Sequence, residues 1–259
     1  MRFYESELDI MKVGIIGTGN IGGTLARKLS AAGHDVRVAN SGGVEGVRTF
    51  ADEIGAEAKD VYGAVAGADI IILAIPLPAM RELPVDLLDG TPSEATIIDT
   101  SNYYPGLRDS RIPDIDDGMA ESVWVARQIG RPVIKAFNNA LAYTLAELGK
   151  PEGAPDRLAI AVAGNDARSK QTAMELVNQV GFDPIDAGTL EDSWRQQPST
   201  PSYCCDYDAD TMRKALAAAI KGTAPKKRDQ LPELFGKLGP NPSHADVVAM
   251  NRKTNSVDG

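Results

Sequence analysis

An α/β fold built on a doubly wound parallel sheet, with a smaller C-terminal part, is what this sequence predicts, and three observations predict it. Short β-branched runs alternate with stretches of helical periodicity, the pattern of βαβ units rather than of a sandwich. One run, Ile70 to Ile75, is almost wholly apolar, as a strand buried on both faces must be. A glycine-rich turn, Gly17 to Gly22, joins the first run to the first helical stretch. The length of 259 residues is long for one domain and short for two, which suits one domain with a smaller companion.

Lys12 to Ile16 is the first strand. Ile21, Leu25 and Leu29 then recur at every fourth position, drawing one apolar stripe along a helix that Gly33 can end. Asp35 to Ala39 is the second strand. A helix over 44–54 and a short strand within 56–61 follow on a thin apolar pattern. Asp69 to Ile75, Thr96 to Asp99 and Val133 to Phe137 read as three further strands. Leu158 to Val162 and Phe182 to Asp186 are two more, separated by a helix over 170–180 that Asn165 and Asp166 cap and Gly181 ends. An alanine-rich helix spans 209–220. The reading therefore divides the chain into a dinucleotide-binding domain at 11–140, a smaller α/β part at 141–220 that completes the sheet and the acceptor site, and a basic extension at 221–259.

Acidic residues outnumber basic ones 36 to 27, and aromatics make up 5%, so the chain offers neither the charge nor the stacking platforms of a nucleic-acid surface. The charge is unevenly placed. The extension holds seven Lys/Arg against four Asp/Glu, leaving 20 against 32 in the first 220 residues. The longest apolar stretch, Ile70 to Met80, contains two prolines and is too short to cross a bilayer, so no membrane partner is expected. Met1 to Glu7 has no apolar core of signal-peptide type, and Cys204 and Cys205 are adjacent, which together lead us to expect a reduced, cytoplasmic protein. The ten residues before Met11 carry no assignable chemistry. His34 and His244 stand far apart, so no zinc cage or histidine triad has a sequence basis, and no metal is expected.

Gly17-Thr18-Gly19-Asn20-Ile21-Gly22 fits G-x-G-x-x-G, follows a strand, opens a helix and precedes a second strand, which is the context for dinucleotide binding. Gly17 permits the turn, Gly19 lets the backbone approach a pyrophosphate, and Gly22 allows close helix–strand packing. The anion then sits on free amides at the helix start. At the end of the second strand, where NAD binders carry an acid, stand Asn40-Ser41-Gly42-Gly43, with no carboxylate until Glu45. Asn40, Ser41 and the glycine amides, with Arg48 reaching from the next turn, suit a 2′-phosphate and favour NADP over NAD.

Several segments together resemble the F420-dependent NADP oxidoreductase family: Gly17 to Gly22, Ala39-Asn40-Ser41, Asp99 to Pro105, Val133 to Asn139, Gly181 to Gly188, and Leu190 to Pro198. The resemblance runs from Met11 to Ile220. It implies a Rossmann domain with a smaller C-terminal part, NADPH as cofactor, hydride exchange with coenzyme F420 or a flavin, and a homodimer. Two positions depart from the family pattern. Gly42 stands where an arginine usually grips the 2′-phosphate, and Gly164-Asn165-Asp166 replaces Gly-Asp-Asp.

Hydride transfer between two stacked planar rings needs no side-chain acid, whereas carbonyl reduction needs a positioned proton donor. No Tyr-x-x-x-Lys is present, which favours ring-to-ring transfer and leaves the catalytic side chains unassigned. Ligands in such sheets lie beyond the carboxyl ends of the strands. Those ends offer Ile75, Pro76 and Leu77 as a stiff ledge, and Asn102, Ala136 and Asn138 as ribose or carboxamide contacts. Trp194 and Arg195 offer an aromatic plane and a cation to the co-substrate, with core packing an equal reading for Trp194. The rival enzyme class is a β-hydroxyacid dehydrogenase using Lys135 and Asn139, although both fall at a strand rather than on one helical face. A non-catalytic dinucleotide sensor is the other alternative. Cys204, Cys205 and His34 read as structural.

Overall fold

A computed structural model describes residues 10–256; the segment Met1 to Glu7 and the last three residues lie outside the described residues. Six parallel strands form the main sheet: β1 (Lys12–Ile16), β2 (Asp35–Ala39), β3 (Glu57–Ala58), β4 (Ile70–Leu73), β5 (Thr96–Asp99) and β6 (Ile134–Lys135). Their order, β3-β2-β1-β4-β5-β6, is that of a doubly wound Rossmann sheet, with the reversal of direction between β1 and β4. Helices α1 (Asn20–Ala31), α2 (Gly43–Ile54), α3 (Val61–Val65), α4 (Pro113–Asp116) and α5 (Glu121–Ile129) make the crossovers.

The run in β4 explains its own composition. Ile70 and Ile72 join the core with Leu25, Leu29, Val36 and Val38, while Ile71 and Leu73 join the opposite core with Ile97, Tyr103 and Trp124. Alternate side chains point to opposite faces, and both faces are covered, so no position is left for a polar residue. Burying each such side chain is worth roughly 1.5–3 kcal/mol, which makes this strand the anchor of both layers.

Helix α6 (Ala142–Glu147) leads to β7 (Ala159–Val162), α7 (Ala167–Gln179), β8 (Asp183–Asp186) and α8 (Ala209–Ala218). β7 and β8 form a separate two-stranded parallel sheet, joined to β6 by one antiparallel bridge in which Lys135 and Ala163 exchange backbone hydrogen bonds of 2.8 and 3.0 Å. Asp166 caps α7, its side chain accepting from the Ser169 amide at 2.7 Å. Several strands are shorter than their apolar runs. β6 stops at Lys135 because Phe137 turns into the left-handed region, φ 62°. β3 keeps two residues, since Asp60 caps α3 and pulls Val61 into that helix.

The extension is folded. It contains α9 (Ala224–Arg228), α10 (Leu231–Leu238) and α11 (His244–Thr254), and α11 is tied to its own chain: Asn251 donates to the Cys204 carbonyl at 3.0 Å, and Arg252 to the carbonyls of Cys205 and Asp206, each at 2.7 Å. No helix among the described residues is long and apolar enough to cross a membrane.

Candidate active site

The turn from β1 into α1 lies at the carboxyl edge of the sheet beside the end of β4. A side chain on Gly17, φ 101°, would place its Cβ 2.3 Å from the Ala74 carbonyl oxygen, and one on Gly22 would place its Cβ 2.0 Å from the Gly17 carbonyl oxygen. These two glycines are therefore demanded by the fold. Gly19 is not: it is exposed, its φ of −70° suits any residue, and a Cβ there would meet nothing within 4 Å. Space at Gly19 is left open to solvent, where a ligand would approach. It is also the N-cap of α1 and supplies no side-chain cap, so amides of the first turn of a 12-residue helix point unpaired toward that space. Thr18 and Ile21 are half-buried, and Asn20 is exposed.

Asn40, at the end of β2, joins this loop to the next. Its Nδ2 donates to Thr18 Oγ1 at 3.0 Å, and its Oδ1 accepts from the Gly42 amide at 2.9 Å. Its amide group is thus engaged in bracing both loops. Ser41, Gly42 and Gly43 are exposed, and α2 also begins without a side-chain cap. Arg48 does not point there freely: it ion-pairs with Glu45 one turn earlier at 2.5 Å, and this pair holds Glu45 below its usual carboxylate range. The Gly42 amide is spent on Asn40 Oδ1 and the Gly43 amide on the Asn40 carbonyl at 3.1 Å, so the candidate 2′-phosphate donor here is Ser41.

At the end of β4, Pro76 is exposed and Ile75 half-buried. Leu77 and Ala136 are fully buried in the two cores, so their side chains are packing groups rather than ligand contacts. Asn138 is 2% exposed and its amide is saturated: Nδ2 donates to Asn102 Oδ1 at 3.0 Å and to the Gln196 carbonyl at 2.7 Å, while Oδ1 accepts from Gln196 Nε2 at 2.9 Å. Asn102 donates to the Asn138 carbonyl at 2.9 Å and stays half-buried. Local bonding therefore spends Asn138, and Asn102 is the member of the pair that borders solvent. The left-handed Phe137 just before Asn138 is the kind of backbone strain that collects at functional sites.

Lys135 and Asn139 are brought to different places. Lys135 is wholly buried, its Nζ donating to the Ser101 carbonyl at 2.5 Å and to Asp99 Oδ2 at 3.3 Å, with Glu121 Oε2 at 3.7 Å. Asp99 also accepts from Ser101 and from Ser122, each at 2.6 Å. Asn139 instead donates to the Ser202 carbonyl at 3.3 Å. This separates the two residues that a β-hydroxyacid dehydrogenase would need side by side. No local sequence motif marks Glu121. Burial lifts its carboxyl to about 7, against the opposing pull of Lys135 and Arg228.

Trp194, in the 3-10 turn Glu191–Gln196, is half-buried, with Arg195 over its ring at 5.6 Å. Cys204 and Cys205 are buried, and burial pushes the Cys205 thiol up to about 11. His34 is held between the Met11 amide and Gln179.

Residues 12–103 match the family described as NADP oxidoreductase, coenzyme F420-dependent. Over 105 residues the chain is 50% identical to the Escherichia coli (strain K12) protein YjhV, covering 40% of this chain and 77% of that protein. Over 206 residues it is 27% identical to the F420-dependent NADP reductase of Methanothermobacter thermautotrophicus, covering 74% of this chain and 87% of the other. Among solved structures, the hypothetical protein SMa0349 from Sinorhizobium meliloti matches with a TM-score of 0.59 at 28% identity, over 71% of this chain and 88% of that one.

Proposed function

Because the chain belongs to the coenzyme F420-dependent NADP oxidoreductases, and is on that ground an NAD(P)-dependent oxidoreductase, we propose that it uses NADPH to reduce a planar acceptor such as coenzyme F420 or a flavin. The observation that carries the dinucleotide part is the contrast within the glycine loop: Gly17 and Gly22 are closed in by backbone, while Gly19 faces open space above uncapped helix amides. Bound there, NADPH supplies the hydride. The chain's own residues bind and orient. Amides of the first turn of α1 take the pyrophosphate, Ser41 takes the 2′-phosphate, and Ile75, Pro76 and Asn102 line the path toward the sheet end. The residues named on that path, Ser41, Ile75, Pro76 and Asn102, carry no acidic side chain, which suits ring-to-ring transfer better than alkoxide protonation.

We further propose a homodimer in a reduced, cytoplasmic compartment with small-molecule co-substrates alone. Fluorescence titration with NADPH and NADH, followed by absorbance at the reduced nicotinamide band with F420, flavins and quinones, tests the activity. NADPH binding with oxidation by F420 or a flavin is expected. Tight binding without oxidation by any of them leaves the sensor reading instead, and a monomer in light scattering removes the dimer.

A further inference from the structure

Three parts of the chain that are distant in sequence enclose a cavity of about 100 Å³. Met119 and Glu121 come from the approach to α5 and its first residue, Trp194 and Gln197 from the turn before the 199–207 loop, and Lys221 and Arg228 from the extension. Helix α5 descends from the carboxyl end of β5, so its first residues lie at the ligand edge of the sheet. Gln196, the neighbour of Gln197, is bonded to Asn138, and Tyr103, the neighbour of Asn102, lies under the Arg228 guanidinium at 5.0 Å. The cavity thus adjoins the Asn102–Asn138 corner of the site.

Two buried polar atoms on residues lining it have no hydrogen-bond partner. They are Glu121 Oε2, on a residue 1% exposed, and Arg228 Nε, on a residue 8% exposed. Arg228 keeps its other end on Asp229 at 3.3 Å, and the Glu121 carboxyl takes a backbone hydrogen bond from Tyr103, leaving Oε2 with the 3.7 Å ion contact with Lys135. Buried polar groups are ordinarily paired, so one unpaired donor and one unpaired acceptor on two residues that line a single cavity need a joint explanation. A ligand edge carrying N–H beside C=O supplies both partners at once. The ureide edge of a flavin or deazaflavin is such an edge, and Trp194 and Met119 offer apolar contact for the ring behind it.

We propose, on the reading of the chain as an oxidoreductase with a planar acceptor, that this cavity takes the acceptor's ureide edge, with Glu121 accepting from the ring N–H and Arg228 donating to the adjacent carbonyl. Because Lys221 and Arg228 lie beyond Ile220, where the resemblance to the family ends, this wall belongs to the extension. The groups facing Glu121 are Asp99 from β5, Tyr104 from the loop after it, Lys135 from β6, and Arg228 at the end of α9 with its partner Asp229, with Lys221 at the rim. An N–H ligand requires the ionised carboxylate, so affinity rises with pH through the titration of Glu121; a carboxylate ligand would bind the protonated form and show the reverse.

The test is fluorescence titration of the full chain with lumiflavin and with 3-methyllumiflavin, whose ring N–H is blocked, both without nucleotide. Lumiflavin is expected to bind about tenfold tighter than its methylated form, and about tenfold tighter at pH 8 than at pH 6, with the pH dependence lost in Glu121→Gln. Equal binding of the two probes, no lumiflavin binding, or an unchanged pH profile in Glu121→Gln overturns the proposal. The methylated probe acts on the native chain, so the result stands even if a variant fails to fold. NADPH titration is a separate readout: its failure removes the oxidoreductase reading, whereas its success beside equal flavin binding removes only the cavity's assignment.

Discussion

Lys135 stands directly across the β5–β6 register from Asp99, its Nζ 3.3 Å from the carboxylate, and neither side chain exposes any surface. A buried pair of this kind is weak evidence for net stability, but removing one partner strands the other charge. Lys135→Met is expected to cost about 3–5 kcal/mol in urea unfolding, and Asp99→Asn added to it is expected to recover part of the loss. If Lys135→Met keeps its stability and loses only turnover, the lysine is catalytic and the β-hydroxyacid dehydrogenase reading returns.

The glycine loop predicts opposite outcomes for two similar substitutions. Gly19→Ala puts a methyl into open space, so stability should stay within about 0.5 kcal/mol while NADPH affinity falls at least about tenfold. Gly22→Ala drives a Cβ into backbone and is expected to cost more than about 2 kcal/mol. Thermal melts beside NADPH titrations separate the two.

Gly42→Arg tests cofactor choice. The new guanidinium should improve NADPH over NADH by about 1–2 kcal/mol, read as the ratio of dissociation constants. Its Cβ would come 3.1 Å from the Gly46 Cα and 3.2 Å from Asn40 Oδ1, so a small loss of melting temperature should accompany the gain.

The raised Glu121 carboxyl makes a pH prediction whose sign is fixed by linkage. Its folded value of about 7 exceeds the usual 4.5, so the folded state holds the proton more tightly. That contribution is fully present below pH 4.5 and is lost as pH rises to 7, on the order of 3 kcal/mol in all. Glu121→Gln should therefore lose less stability than the parent between pH 5 and 8 in denaturant titrations; parallel profiles would show that the group titrates normally.

Buried, with the Cys205 thiol pushed to about 11, the cysteine pair should resist Ellman's reagent at pH 8 in the folded chain and react when unfolded. Prompt labelling of the native protein would contradict this.

What the sequence disclosed and what it hid follow from separation along the chain. The glycine loop, the apolar run of β4 and the Asp166 cap are local patterns, and each predicts its own element. The Asp99–Lys135–Glu121 cluster joins residues from β5, β6 and α5, and its available signal was a lysine and an aspartate set in otherwise apolar strands. Asn138 was legible as a strand-end polar group, but its bonding to Gln196, 58 positions away, was not. In the extension, Pro225 and Pro232 resemble helix breakers, yet both stand in the first helical turn, where a missing N–H costs nothing.

The hydrogen bonds of Asn40 have one further consequence. By linking Thr18 to Gly42, a single amide fixes the spacing between the turn that would meet a pyrophosphate and the turn that would meet a ribose phosphate. Such a spacer acts as a caliper. A molecule bearing both anionic groups at that separation binds without having to order either loop, whereas a single phosphate gains from only one jaw, so discrimination between whole dinucleotides and their fragments is built in before any ligand arrives.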